Sequence, residues 1–250
     1  GFNVGDRVAF LTLGAYAEQV VTAPQMTFPL PDEVDFTAGA ALIINYHTAL
    51  FALRDRGQLK AGENVLIQGA AGGVGTASIQ VAKALGARAI AAVSSDEKAE
   101  VALQAGADEV AFSGGDEWRD RVKELTDGRG ADVVLDPVGG DHFTDNLRSL
   151  AEGGRLLVVG FAGGSIPEVK VNRLLLNNVS VVGVAWGAYV ATKPELTREI
   201  GETVNELAVR GEIKPLIGAV HNMEDAETAL QLLDDRRATG KVVLQISEDD

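Results

Sequence analysis

The chain has 250 residues, 46% of them hydrophobic, which is enough to bury a core in one large domain or one and a half ordinary ones. Its 36 acidic and 22 basic residues leave a net charge of −14, a balance that repels phosphodiester backbones and anionic membrane surfaces and argues against nucleic-acid or membrane partners. With no cysteine and three scattered histidines, no metal site is expected; with neither a signal-peptide layout nor an apolar run near the about eighteen residues of a membrane span, a cytoplasmic location is expected.

At the N-terminus, "DRVAFLTLGAYAEQVVTAP" predicts two strands in close succession with Gly14 at the turn, a β-hairpin or small β-sheet. "NYHTAL" reads as helical. From about Asn64 to Ala185 short runs of Val, Ile and Leu alternate with helical stretches. Strands are predicted at "NVLIQ", "ARAIAAV", "DEVAF", "DVVLD", "RLLVVG" and "VSVVGVA", mostly apolar on both faces. Helices are predicted at Val74–Leu85, Asp96–Ala105, Glu117–Thr126 and Asp141–Leu150; Val74, Ala77, Val81 and Leu85 show the 3, 4, 4 spacing. Such alternation implies a parallel sheet covered by helices on both faces, a doubly wound α/β fold. The end of the chain predicts an amphipathic helix over Glu224–Leu233, a strand "GKVVLQI" and an acidic tail, "SEDD".

Between the first of these strands and its helix lies "QGAAGGVG". Ala70, Gly72 and Gly75 match the dinucleotide fingerprint with alanine in its first slot, and Gly69 and Gly73 add freedom. A turn this bare lets backbone N–H groups and the positive end of the helix dipole approach a pyrophosphate, and Gly75 lets helix and strand pack closely. The end of the second strand, where an NAD-preferring site carries a carboxylate for the ribose hydroxyls, holds Ser94 and Ser95, with Lys98 one helical turn on. Two hydroxyls and a cation suit a 2′-phosphate, so NADPH is expected over NADH. Asp96 is the competing element: pointing away from a first helical turn it is neutral to that choice, and contacting the ribose it reverses it. Arg88 lies at the wrong end of its strand. His47, His142 and His221 share no spacing with a nucleophile, and Asp136, before Pro137, reads as a turn residue, not as half of an acid/base pair with Asp132.

"GAAGGVGTASIQVAKALGA", preceded by "NYHTALFAL" and followed by "DVVLDPVGG", "GRLLVVGFAGG" and "NNVSVVGVAWG", resembles the medium-chain dehydrogenase/reductase superfamily, in its zinc-free NADPH:quinone oxidoreductase (zeta-crystallin-like) branch. The resemblance covers essentially the whole chain. It implies a Rossmann cofactor domain at residues 39–190, with a partial GroES-like β-rich catalytic domain at 1–38 and a helix-rich return to that domain at 191–250. The first strands of the family's GroES-like domain are not among these residues. The resemblance places Tyr46 and Thr48 beside the nicotinamide as catalytic residues. It puts Val138, Gly139, Phe161 and Ala162 in loops facing the nicotinamide carboxamide and ribose, and Val74, Asn172 and Lys241 on the cofactor side.

The function implied is hydride transfer from NADPH to a quinone or another activated carbonyl or alkene, with a small-molecule electron acceptor as partner. Two other readings stand beside it: an enoyl reductase or alkenal/one oxidoreductase, and an NADPH-binding module with a structural or sensing role. A homodimer is expected through the edge strand near Val179–Trp186.

Overall fold

The computed structural model describes residues 1–113 and 118–246. Glu117, the expected start of one helix, and the acidic tail lie outside them. In chain order the elements are β1 (Val8–Phe10), β2 (Thr27–Pro29), α1 (Phe36–Leu50), which runs on as a π-helical segment to Arg56, β3 (Asn64–Ile67), α2 (Gly73–Ala84), β4 (Arg88–Val93), α3 (Asp96–Gln104), β5 (Glu109–Phe112), α4 (Trp118–Glu124), β6 (Ala131–Asp136), α5 (Phe143–Arg148), β7 (Leu150–Val158), α6 (Asn172–Asn177), β8 (Ser180–Gly183), α7 (Trp186–Val190), α8 (Pro194–Val209), β9 (Ile217–Asn222), α9 (Ala226–Asp234) and β10 (Lys241–Gln245).

Six strands form one parallel sheet in the order β5-β4-β3-β6-β7-β8. Alternate residues of each strand enter separate cores. Val65, Ile67, Ala89, Ala91, Val133 and Leu135 pack on the face covered by α1, α2 and α8, while Leu66, Ile90, Ala92, Val134 and Leu156 pack on the face covered by α4 and α5. Burial on both faces is why these strands read as unbroken apolar runs. This is the expected doubly wound α/β fold. Chain direction across the sheet reverses between β3 and β6, so the loops that follow these two strands bound one crevice at the strands' carboxyl ends.

The expected N-terminal hairpin does not form. β1 pairs antiparallel with β2, Ala9 opposite Phe28, while residues 11–23 run irregularly with Leu13 and Val21 in solvent. The partner is the segment that can deliver an aromatic ring to the core: Phe28 is buried against Gly201 of α8 and the ring of His47, whereas the stretch around Gly14 meets no second layer. The run Val179–Ala185 is a strand only over Ser180–Gly183, because Trp186 turns inward and opens α7. Phe28, Leu30, Ile200 and Val204 share one core with the sheet, and the boundary expected at residue 38 falls inside α1.

α1 is longer and more apolar than "NYHTAL" suggests. Asp35 caps it by accepting from the Ala38 N–H at 2.7 Å, and within the continuous 21-residue helix Phe36–Arg56 an 18-residue window has a mean hydropathy of 1.4. By length and composition it meets the requirement of a membrane span, contrary to the expectation; 72% of that apolar window is covered by the protein itself, as in a core helix.

His47 lies midway along α1, 1% exposed, with its ring edge-on to Phe28 and Trp186 at centroid distances of 4.7 and 5.3 Å. Burial without a partner for Nδ1 favours the neutral ring and pulls the pKa from 6.5 down to about 3. The unfolded chain takes up this proton near pH 6.5 and the folded chain does not, so the group's contribution is complete above that pH and declines on acidification toward pH 3. Urea unfolding between about pH 4 and 6 should show a loss of about 1.4 kcal/mol per pH unit from this residue. A His47→Leu variant should lack that increment, and an identical slope in the variant would refute the assignment.

Candidate functional site

The glycine turn follows β3 and opens α2. Gly69 adopts φ +59°, and its carbonyl accepts the Gly72 N–H at 3.0 Å, closing the turn. Gly72 is the N-cap of α2 and has no side chain to cap it; its carbonyl accepts the first intrahelical bond from Thr76. The amides of Val74 and Gly75 have no acceptor among the described residues, while that of Gly73 faces the Gly240 carbonyl across the bridge between Gly72 and Gly240. Two unpaired N–H groups at the positive end of a twelve-residue helix form an anion seat. A Cβ on Gly75 would lie 2.2 Å from the Gly69 carbonyl oxygen and 2.6 Å from the Ala70 Cα, so only glycine lets α2 come this close to the turn. At Gly72 the same atom meets nothing nearer than 3.4 Å. The seat therefore fits a dinucleotide's pyrophosphate on the shape of the main chain alone.

Across the crevice, the loop after β6 meets the loop after β7. Ala162 N–H donates to the Pro137 carbonyl at 3.1 Å and Gly163 N–H to that of Val138 at 2.8 Å. A Cβ on Gly139, which has φ +65°, would lie 2.9 Å from the Phe161 ring, and the Val138 side chain reaches to 3.2 Å of the Cβ position of Gly69. The structure thus brings together Ala70, Gly72, Gly73, Val74 and Gly75 with Val138, Gly139, Phe161 and Ala162.

A buried polar thread fixes this juxtaposition, and nothing in the sequence pattern pointed to it. Gln68 Nε2 donates to Asn146 Oδ1 at 2.7 Å, and Asn146 Nδ2 donates to Asp136 Oδ2 at 3.0 Å. Asp136 Oδ1 accepts the N–H groups of Val138 and Gly139 at 2.9 and 2.8 Å. All three side chains are at most 2% exposed. Asp136 is the turn residue expected, with its carboxylate enclosed in the turn; Asp132 instead accepts from the Asn64 N–H at the opposite end of the sheet.

The other expected residues divide. Lys98 Nζ donates to Ser94 Oγ at 3.1 Å, and Ser95 caps α3 by accepting from the Lys98 N–H. Asp96 is the first residue of α3 and exposed. Ala70 N–H donates to the Ala92 carbonyl, which sets the end of β4 beside the glycine turn. Arg88, at the start of β4, is tied to Asn64, Glu109 and the Leu125 carbonyl, far from that end. Lys241 follows Gly240, whose N–H donates to the Ala71 carbonyl at 2.8 Å and which bridges to Gly72; burial lowers the Lys241 pKa, and no carboxylate pairs with it among the described residues. Asn172 is exposed at the first position of α6.

Tyr46 requires correction. Its hydroxyl donates to Gln80 Oε1 at 2.8 Å, two turns into α2, and Gln80 also exchanges hydrogen bonds with the main chain of Lys214. Burial raises the phenol's pKa. This hydroxyl ties α1 to α2 and to the segment before β9, while Thr48 lies on another face of α1. His47 is a core residue; His142 and His221 sit apart, at the end of a short 3₁₀ turn and in β9.

The profile of the family described as zinc-binding dehydrogenase matches residues 73–208. Quinone oxidoreductase-like protein 2 of Bos taurus is 42% identical over 246 residues, covering 97% of this chain and 70% of the relative. The quinone oxidoreductase of Pseudomonas aeruginosa is 39% identical over 97% of this chain and 75% of its own length. Among solved structures, the Escherichia coli quinone oxidoreductase complexed with NADPH superposes with a TM-score of 0.88 at 30% identity, over 98% of this chain and 76% of that one. The chain belongs to the medium-chain dehydrogenase/reductase superfamily, in its quinone oxidoreductase branch. It is an oxidoreductase of the quinone oxidoreductase-like type, from a family that binds NADP(H).

In this quinone oxidoreductase-like chain a mainly apolar cavity of about 550 Å³ adjoins the crevice, lined by Phe51, Val158, Phe161, Ala185 and Tyr189 among others. Arg56 at its rim donates to the Gly183 carbonyl at 3.0 Å. Phe161 belongs both to this wall and to the paired loops, so the crevice and cavity are continuous. The polar thread that sets those loops yields a stability prediction. Replacing Asn146 by Leu strands Gln68 Nε2 and Asp136 Oδ2 in a dry interior, at about 1–3 kcal/mol for each group. Urea unfolding of Asn146→Leu should register a loss of roughly 2–5 kcal/mol, and a change below 1 kcal/mol would show that the thread is not a structural tie.

Proposed function

We propose that this chain binds NADPH along the crevice and transfers hydride to a quinone or another activated carbonyl or alkene in the adjoining cavity. The observation that carries the reading is the uncapped N-terminus of α2, closed on Gly69 so tightly that only main chain faces the crevice. NADPH supplies the hydride when bound. The protein's own part is to seat the diphosphate on the amides of Val74 and Gly75 beside Gly73, and to hold the 2′-phosphate with Ser94, Ser95 and Lys98. Lys241 adds positive charge behind the turn, with Asn172 on the rim. Thr48, with the backbone of Val138, Gly139, Phe161 and Ala162, orients the nicotinamide ring toward the cavity. Apolar walls of Phe51, Phe161 and Tyr189 exclude water and suit a flat, electron-poor acceptor.

Titration with both nicotinamide cofactors, followed by a panel of quinones and enones, tests this directly. Binding of NADPH with turnover of a quinone is expected, and Lys98→Ala should weaken NADPH roughly tenfold while leaving NADH unchanged. Tighter binding of NADH would overturn the 2′-phosphate assignment; absence of binding by either cofactor would overturn the whole reading. Turnover of enones without quinones would favour the alkenal/one reading, and binding without turnover the sensing one.

We also propose that the chain forms a homodimer through β8, the last strand of the sheet, with Ser180–Gly183 as its exposed edge and Leu175 and Leu176 of α6 uncovered nearby. Trp186 takes no part, being 2% exposed in the core. Light scattering after size-exclusion chromatography should give twice the mass of the chain; a monomer at micromolar concentration would refute it.

A further inference from the structure

Asn45 is a buried polar residue in the apolar stretch of α1, 7% exposed, and among the described residues nothing hydrogen-bonds its carboxamide. That amide is pressed against the start of α2: a Cβ on Gly73 would lie 2.6 Å from Asn45 Nδ2 and 3.4 Å from Oδ1. Gly73 thus leaves room for the side chain of another helix to reach the same turn whose Val74 and Gly75 amides are left without acceptors. The amide has no hydrogen-bond partner among the described residues and is not one of the sealed unpaired polar atoms, so it keeps a contact with solvent through which a ligand can reach it.

Its direction of approach is also defined. Asn45 and Thr48 are three residues apart on one face of α1, and Phe51, three residues further, lines the apolar cavity. The adenosine-side residues Ser94, Ser95 and Lys98 lie at the end of β4, on the other side of β3. Asn45 therefore meets the anion seat from the side of the cavity.

We propose that Asn45 is a cofactor-binding residue whose Nδ2 donates to a phosphate oxygen of the dinucleotide bridge, on the half nearer the nicotinamide. The proposal rests on the reading that this chain binds NADPH. Its side chain and the amides of Val74 and Gly75 form a three-donor cradle, with one donor contributed by α1. Gly73 is glycine because Asn45 occupies the space a Cβ would take, which gives this position a reason separate from that of Gly75.

The test compares the parent with Asn45→Leu and Asn45→Asp, using NADPH and adenosine 2′,5′-bisphosphate, which lacks the nicotinamide half. Asn45→Leu removes the donor at similar volume, and its ligand-free melting temperature should equal or exceed that of the parent, because no hydrogen bond within the protein is lost. Its Kd for NADPH should rise roughly tenfold or more, and that of Asn45→Asp further, since a carboxylate would face the phosphate. Both variants should bind the bisphosphate within about twofold of the parent. An unchanged Kd for NADPH, equal weakening of both ligands, or a lower ligand-free melting temperature in Asn45→Leu would each overturn the proposal. Failure of the parent itself to bind NADPH would overturn the underlying cofactor reading, a result distinguishable from any of these.

Discussion

The contact between Gly75 and the backbone of Gly69 and Ala70 is the constraint on which the rest of the molecule depends. It fixes the distance between α2 and β3, and a single methyl group there would overlap a carbonyl oxygen. Because helix and turn meet at backbone distance, the first amides of α2 open into the crevice with no side chain of the turn itself in front of them. The helix end carries a partial positive charge that no carboxylate among the described residues pairs with. In a chain with a net charge of −14, this is a local exception to the overall field and a reason for an anion to settle here and not elsewhere.

Two kinds of bond keep the crevice in shape. On the turn side, main-chain hydrogen bonds suffice: Gly72 to Gly69, Ala70 to Ala92, and Gly240 to Ala71, the last joining the C-terminal strand pair to the cofactor turn. On the other side the loop after β6 depends on side chains, with Gln68, Asn146 and Asp136 passing hydrogen bonds from the end of β3 to the amides of Val138 and Gly139. Removal of any member of such a thread leaves a buried group unpaired, so the two loops are set relative to one another as firmly as packed side chains would set them. Loops that bound a ligand site can thus be rigid without belonging to a strand or helix.

α1 links the pieces. Its residues face the glycine turn (Asn45), the side of α2 (Tyr46), the aromatic cluster of Phe28 and Trp186 (His47) and the apolar cavity (Phe51). A helix in contact with so many elements is apolar nearly all round, which explains both its membrane-like composition and its burial. Two of its polar side chains have a group opposite them, the Tyr46 hydroxyl on Gln80 and Asn45 against Gly73, whereas His47 is packed among aromatic rings without a partner for Nδ1.

The sequence by itself determined the sheet, the glycine turn and the family. Strands buried on both faces must be apolar at every position, helices between them must repeat at 3.6 residues, and a backbone-only anion seat must be written in glycine; each of these is a local pattern. The position of Ser94, Ser95 and Lys98 at the end of β4 was legible for the same reason, since they follow a strand end at a fixed spacing. Only the tertiary structure decided the rest. The pairing of β1 with β2 instead of a hairpin about Gly14, the inward turn of Trp186, the attachment of the Tyr46 hydroxyl to Gln80 and the thread from Gln68 to Asp136 all join residues from 17 to 139 positions apart in the chain. Such pairings follow from which surfaces meet when helices pack on a sheet, and a polar residue on an apolar helix shows its purpose only when the group opposite it is known.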